Sequence, residues 1–266
     1  GRFGFPALGF NGAAVASVIA EISGMSIVYI VIFKKGLKNK FNLFSDFSYH
    51  KTTSRSIVNL AAPLVLQFAI SLITWMVFFI LLENYGERAK AISNTMRNVF
   101  GFVGIFIWAF ASTTTAMVSN LIGQGLQNKV ILLIKKIMLL NVSSTLFMLG
   151  ILNCVPQYVL RIYGQDAAFI HDAIPVIRIV SLGMILMSIA VVWLNAVTGT
   201  GKTKMNLLIE LIAIICYLIY IYLVMVKFKL SLAWAWTNEL VYWAVIFAVA
   251  FWEIKRGKWK RKLSEL

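Results

Sequence analysis

The sequence predicts an all-α, polytopic transmembrane helical bundle of seven spans: the last helix of a first lobe, followed by a six-helix second lobe. Three observations carry this. Hydrophobic residues make up 60% of the 266 and charged residues only 13%, against about 25% charged in a soluble domain. The chain has a mean hydropathy of +0.84, and its apolar residues fall in runs long enough to cross a hydrocarbon core that needs roughly 20 helical residues per crossing. The basic residues collect in alternate connections between these runs.

The spans read as residues 9–33, 57–82, 91–122, 130–152, 173–197, 205–226 and 230–252. In hydrocarbon each must satisfy its own backbone hydrogen bonds, so each is expected to be a helix. The first opens with Ala13, Ala14 and Ala16, carries Glu21 near its middle and stops at Lys34–Lys35–Gly36. The polar stretch 34–56 then reads as a cytoplasmic interlobe linker. In the second span, Pro63, Gln67, Ser71 and Thr74 share one helical stripe. The third begins with Asn94, Arg97 and Asn98 and passes Gly101 and Gly104, which permit close approach or a bend. The fourth is flanked by Lys129, Lys135 and Lys136, and the connection 153–172 mixes polar and apolar residues as an interfacial segment would. The fifth carries a stripe of Ser181, Met184, Ser188 and Asn195, and the sixth one of Asn206, Glu210, Ala213, Tyr217 and Tyr220. The seventh faintly echoes the first, offset by about one helical turn, with Ala233 and Ala235, Glu239 near the middle and Lys255–Arg256–Gly257 at the end. The domain plan is therefore 1–33 as the closing helix of an N-terminal lobe, 34–56 as linker, 57–253 as the six-helix C-terminal lobe and 254–266 as a basic cytoplasmic tail.

Loops rich in Lys and Arg stay in the cytoplasm. One set of connections holds 17 of the 25 basic residues, which places the C-terminus inside and Gly1 outside, in a cytoplasmic (plasma) membrane. Anionic lipid therefore accounts for the net charge of +15, and no basic face on a soluble domain points to nucleic acid. The tail, with Trp259 among its lysines, is expected to anchor at the interface. A chain that starts at Gly1 in an external loop is expected to lack earlier helices. Cys154 and Cys216 fall in different spans and read as separate thiols, and His50 and His171 have no ligand set around them.

Carboxylates near mid-membrane cost roughly 2.5–3.5 kcal/mol to insert. Glu210, Glu239 and Glu21 are therefore candidate proton or cation sites, because burial away from water disfavours a bare negative charge. The polar stripes are expected to face a watery cavity, with Gln67, Ser71, Thr74, Asn94, Asn98, Ser188 and Asn195 along a substrate path. Interhelical hydrogen bonding, worth around 0.6 kcal/mol a bond, is the competing reading of each stripe taken alone.

Several runs resemble the multidrug and toxic compound extrusion (MATE) transporters. Leu60–Ala61–Ala62–Pro63 and Asn84–Tyr85–Gly86 are similar to the ends of the first helix of that family's second lobe. Ser119–Asn120–Leu121–Ile122–Gly123–Gln124–Gly125 resembles the turn closing the next helix, and Tyr163–Gly164–Gln165–Asp166 and Gly199–Thr200–Gly201–Lys202–Thr203 resemble later loops. The last run is not a nucleotide-binding P-loop, since no Gly stands five residues before Gly201, where the motif needs one. The resemblance implies helices six to twelve of a twelve-helix antiporter, without the N-terminal lobe. Such a protein exchanges Na⁺ or H⁺ for cationic or amphipathic drugs by alternating access, and needs no other cofactor. Many members carry a cation-binding acid in the first and fourth helices of the second lobe; here the nearest positions are Ser71 and Met187–Ser188. A coupling acid is then expected in the absent lobe, or at Glu210 or Glu239. A lipid-linked oligosaccharide flippase of the same superfamily would need cationic residues in the cavity, for which Arg97 and Arg178 are the candidates. A seven-span receptor-like or retinal protein is a different class, but no lysine sits mid-way along the last span. No intramembrane catalytic cluster suggests an enzyme.

Overall fold

A computed structural model describes residues 8–43, 48–161, 163 and 166–257. Ten α-helices occur among them: α1 (Gly9–Lys34), α2 (Leu37–Lys40), α3 (Lys51–Leu82), α4 (Glu87–Gly123), α5 (Val130–Cys154), α6 (Pro156–Arg161), α7 (Ala167–Gly199), α8 (Thr203–Ile221), α9 (Leu232–Trp236) and α10 (Asn238–Lys255). Seven helical segments are long and apolar enough to cross a membrane. They correspond to the seven runs expected. The chain forms two units, Gly1–Arg55 and Ser56–Leu266. In the first, α1 presents exposed apolar side chains such as Val18, Ile22 and Ile27 along its length, and Ser17, Ser23 and Ser26 bond back to their own helix.

The second unit is built around α7. Most of its side chains from Met184 to Gly199, and alternate ones before that, are buried, and the helix packs against α4, α5 and α10. The reason is local sequence: Val191, Val192, Trp193, Leu194, Ala196 and Val197 are apolar on every face, so no side of α7 there needs water. Gly199 permits the closest crossing. A Cβ there would stand 2.8 Å from the Val118 Cβ and 2.9 Å from the Thr115 carbonyl oxygen of α4. Ser119 Oγ then donates to the Gly199 carbonyl at 3.1 Å. The sharp turn into α4 uses Gly86 at φ 86°, ψ 169°, a conformation essentially restricted to glycine.

Several boundaries differ from the sequence expectation: α3 begins at Lys51, inside the stretch expected as linker, and α4 at Glu87. The last span is not one continuous helix: Thr237, at φ −70° and ψ −7°, separates α9 from α10. Its hydroxyl bonds the Trp234 carbonyl at 2.7 Å and lies 2.6 Å from the Tyr220 hydroxyl. Glu239 therefore sits in the first turn of α10 rather than mid-helix. α7 starts at Ala167, earlier than the apolar run, because Asp166 caps it by accepting from the Phe169 amide at 2.6 Å. The end of α8 widens into a π-helical segment, Tyr222–Lys227. The tail beyond Gly257 with Trp259, linker residues 44–47, and Gly164 and Gln165 of the loop motif lie outside the described residues.

Candidate functional site

One face of α3 carries Leu64, Gln67, Ser71, Thr74 and Trp75, the i, i+3, i+4 spacing of a single stripe. That face closes a cavity of about 250 Å³ against α4, α7, α8 and α10. Glu210 of α8, 1% exposed, is its polar centre. The carboxylate accepts from Gln67 Nε2 at 3.2 Å, from Ser71 Oγ at 2.5 Å and from the Tyr242 hydroxyl of α10. A second chain of amides leads to it: Asn206 Nδ2 donates to Gln67 Oε1 at 3.1 Å and to Thr198 Oγ1 at 2.8 Å.

Glu239 lines the same cavity and is 5% exposed. Its carboxylate accepts from Trp243 Nε1 at 2.9 Å, one helical turn along α10, and the Trp75 indole of α3 lines the same cavity. The close fit of α7 behind it requires Gly183, where a Cβ would come within 3.1 Å of the Glu239 Cβ. Tyr217 accepts from Asn238 Nδ2 at 3.2 Å and stands edge-on to Tyr242 at 5.8 Å. With Phe68, Trp75, Phe100, Trp108, Tyr242 and Trp243 it makes seven aromatic side chains in the lining, which holds no Lys, Arg or His.

A third buried acid shows what is unusual here. Glu253, at the far end of α10, is met by the Lys202 ammonium at 2.7 Å. Among the described residues neither Glu210 nor Glu239 has an ion-pair partner. Hydrogen-bond donors alone hold both.

Of the sequence candidates, Gln67, Ser71, Thr74, Asn195, Glu210 and Glu239 meet in this cavity. Thr74 directs its hydroxyl to its own Ile70 carbonyl, and Asn195 is pinned by Thr115 Oγ1 at 3.0 Å. Asn94, Asn98 and Ser188 do not line it. Asn98 is exposed, and the Ser188 carbonyl accepts from Asn141 of α5 at 2.8 Å. The fifth-span stripe thus faces α5 along much of its length, with Asn153 bonding Ser181 at 2.8 Å. Glu21 belongs to α1, in the other unit, and is exposed. The sequence reading did not single out Trp75, Thr198, Tyr242 or Trp243. The signal existed for two of them: Tyr242 and Trp243 stand three and four residues after Glu239, on its helical face.

Comparison with known proteins decides the family. The MatE family model matches residues 63–223. The chain belongs to the MatE family. It is 25% identical over 215 residues to the probable multidrug resistance protein NorM of Thermotoga maritima, covering 80% of this chain and 46% of that protein. It is 28% identical over 123 residues to the uncharacterized transporter YisQ of Bacillus subtilis, covering 46% of this chain and 27% of that one. A mutant of the Vibrio cholerae MATE transporter VcmN superposes with a TM-score of 0.73 at 12% identity, over 78% of this chain and 48% of that structure. An outward-facing MATE transporter of the MOP superfamily gives 0.69 at 14%, over 77% and 46%. These structures establish the MatE fold, and the chain spans about half the length, or less, of the relatives it matches.

Proposed function

We propose that this MatE chain contributes the second lobe of a secondary active exporter, which exchanges Na⁺ or H⁺ for cationic or amphipathic compounds by alternating access. The observation that carries the reading is that two buried carboxylates, with no ion-pair partner among the described residues, share one cavity with seven aromatic rings. A buried carboxylate without a cation is costly, and an organic cation gains from both carboxylate charge and aromatic faces. The same acids are where a coupling ion would compete with substrate, so Glu210 and Glu239 are assigned that role, with Gln67, Ser71, Thr74 and Asn195 along the substrate path. The remaining lining would come from an N-terminal lobe. The protein is placed in the cytoplasmic membrane with its C-terminus inside, on the charge asymmetry of its connections.

The flippase reading finds less support: Arg97 and Arg178 are both exposed, and neither lines the cavity. The experiment is efflux of a cationic dye by the native full-length protein in proteoliposomes, under imposed Na⁺ and pH gradients. One gradient should drive efflux, and Glu210→Gln should abolish it. Absence of efflux under either gradient would overturn the exporter assignment; undiminished efflux by both Glu210→Gln and Glu239→Gln would overturn the site.

A further inference from the structure

A second opening adjoins the cavity. It is a cleft of about 390 Å³ at the α7–α8 turn, lined on one side by Ile57, Leu60 and Ala61 of α3 and on the other by Ser119, Gly201 and Thr203. Leu64 and Thr198 line both this cleft and the cavity around Glu210. These two side chains are therefore the partition between a surface opening and the buried acid.

The partition is asymmetric in chemistry. Leu64 is apolar and half-buried, on the α3 stripe one turn before Gln67. Thr198 is polar, and its hydroxyl starts the chain Thr198–Asn206–Gln67–Glu210 described above. Along that chain Asn206 Oδ1 is buried and has no hydrogen-bond partner among the described residues; the residue is 4% exposed. An orphaned buried carbonyl oxygen is uncommon and calls for a water or an ion. Side-chain amides do not relay protons by themselves, but their oxygens are hard ligands suited to a small hard cation. Thr198, Asn206, Gln67 and Glu210, each of which carries a side-chain oxygen, are hydrogen-bonded in that order from the cleft inward, the amide N–H groups of Asn206 and Gln67 making the links, and no basic side chain lines either space.

We infer that the Leu64–Thr198 partition is the gate of an ion passage, and that Thr198, Asn206 and Gln67 form the oxygen-lined step carrying a small hard cation between the α7–α8 cleft and Glu210. The inference deepens the exporter reading by giving its coupling ion a route; on the orientation proposed above, the route opens to the cytoplasm.

The test reads chemistry at the gate and does not require transport. In the native full-length protein with Cys154→Ser and Cys216→Ser, Thr198→Cys is exposed to a membrane-impermeant, cationic methanethiosulfonate reagent from each side of sealed vesicles. Modification is expected from the face carrying the α7–α8 turn only. Leu64→Ala should speed it by about tenfold, Leu64→Trp should slow it comparably, and added Na⁺ should protect. Ser119→Cys, at the mouth, should react equally fast in every Leu64 background, which controls for folding. Reaction of Thr198→Cys from the opposite face only, indifference to Leu64, or failure of Na⁺ to protect would each overturn the proposal. A protein that transports nothing yet shows this gated pattern retains the passage while losing the exporter reading.

Discussion

Glu210 and Glu253 are both buried acids on neighbouring helices, yet they are solved differently. Glu253 has Lys202 beside it, and Glu210 has Gln67, Ser71 and Tyr242. Removing Lys202 leaves a buried carboxylate unpaired, whereas removing both partners need not be costly. Lys202→Met should therefore destabilise the bundle by about 2 kcal/mol, less than for a fully buried pair because Lys202 retains solvent contact. Lys202→Met with Glu253→Leu should recover most of that, both read as thermal midpoints in detergent. At Glu210 the donors compete with any cation for the carboxylate lone pairs. Tyr242→Phe removes one donor and keeps the ring, so half-saturation by the coupling ion should fall by about tenfold, given roughly 1.5–3 kcal/mol for a hydrogen bond to a charged group. An unchanged ion dependence would mean that Tyr242 does not contact the working carboxylate.

Among the elements, α3 and α7 show what the sequence discloses and what it hides. The inward face of α3 was legible: Gln67, Ser71 and Thr74 are polar residues at helical spacing in a lipid-soluble run, and they do meet Glu210 or its cavity. The stripe on α7 misled at Ser181 and Ser188, because periodicity marks a shared face but not the neighbour that covers it, and here that neighbour is α5. The break at Thr237 was hidden because Trp236, Thr237 and Asn238 include neither Pro nor Gly; side-chain bonds to Trp234 and Tyr220 shape it instead. The α4–α7 crossing depends on Gly199, which the sequence offered only as part of a loop motif. Gly199→Ala should cost about 1–3 kcal/mol by overpacking against Val118 and the Thr115 carbonyl. Gly123→Ala, where a Cβ meets nothing within 4 Å, serves as the matched control.

For the whole molecule, the composition, the spans and the family are mutually consistent, while the paired acids emerge only when α3, α8 and α10 are assembled. Nothing in one sequence links Glu210 to Ser71, 139 residues apart. The orientation argued from basic connections predicts that a cytoplasm-dependent reporter fused after Leu266 is active, and that one inserted in the 153–172 connection is not; the reverse pattern would invert the topology. The central claim is that two ion-pair-free carboxylates in an aromatic cavity select a cation. It is tested most directly by binding of tetraphenylphosphonium and its isosteric anion tetraphenylborate to the detergent-purified native full-length protein, by calorimetry. The account predicts that the cation binds and the anion does not, and that Glu210→Gln with Glu239→Gln weakens cation binding by at least about tenfold, or 1.4 kcal/mol. Equal binding of both ions, or cation binding unchanged in the double variant, would contradict it.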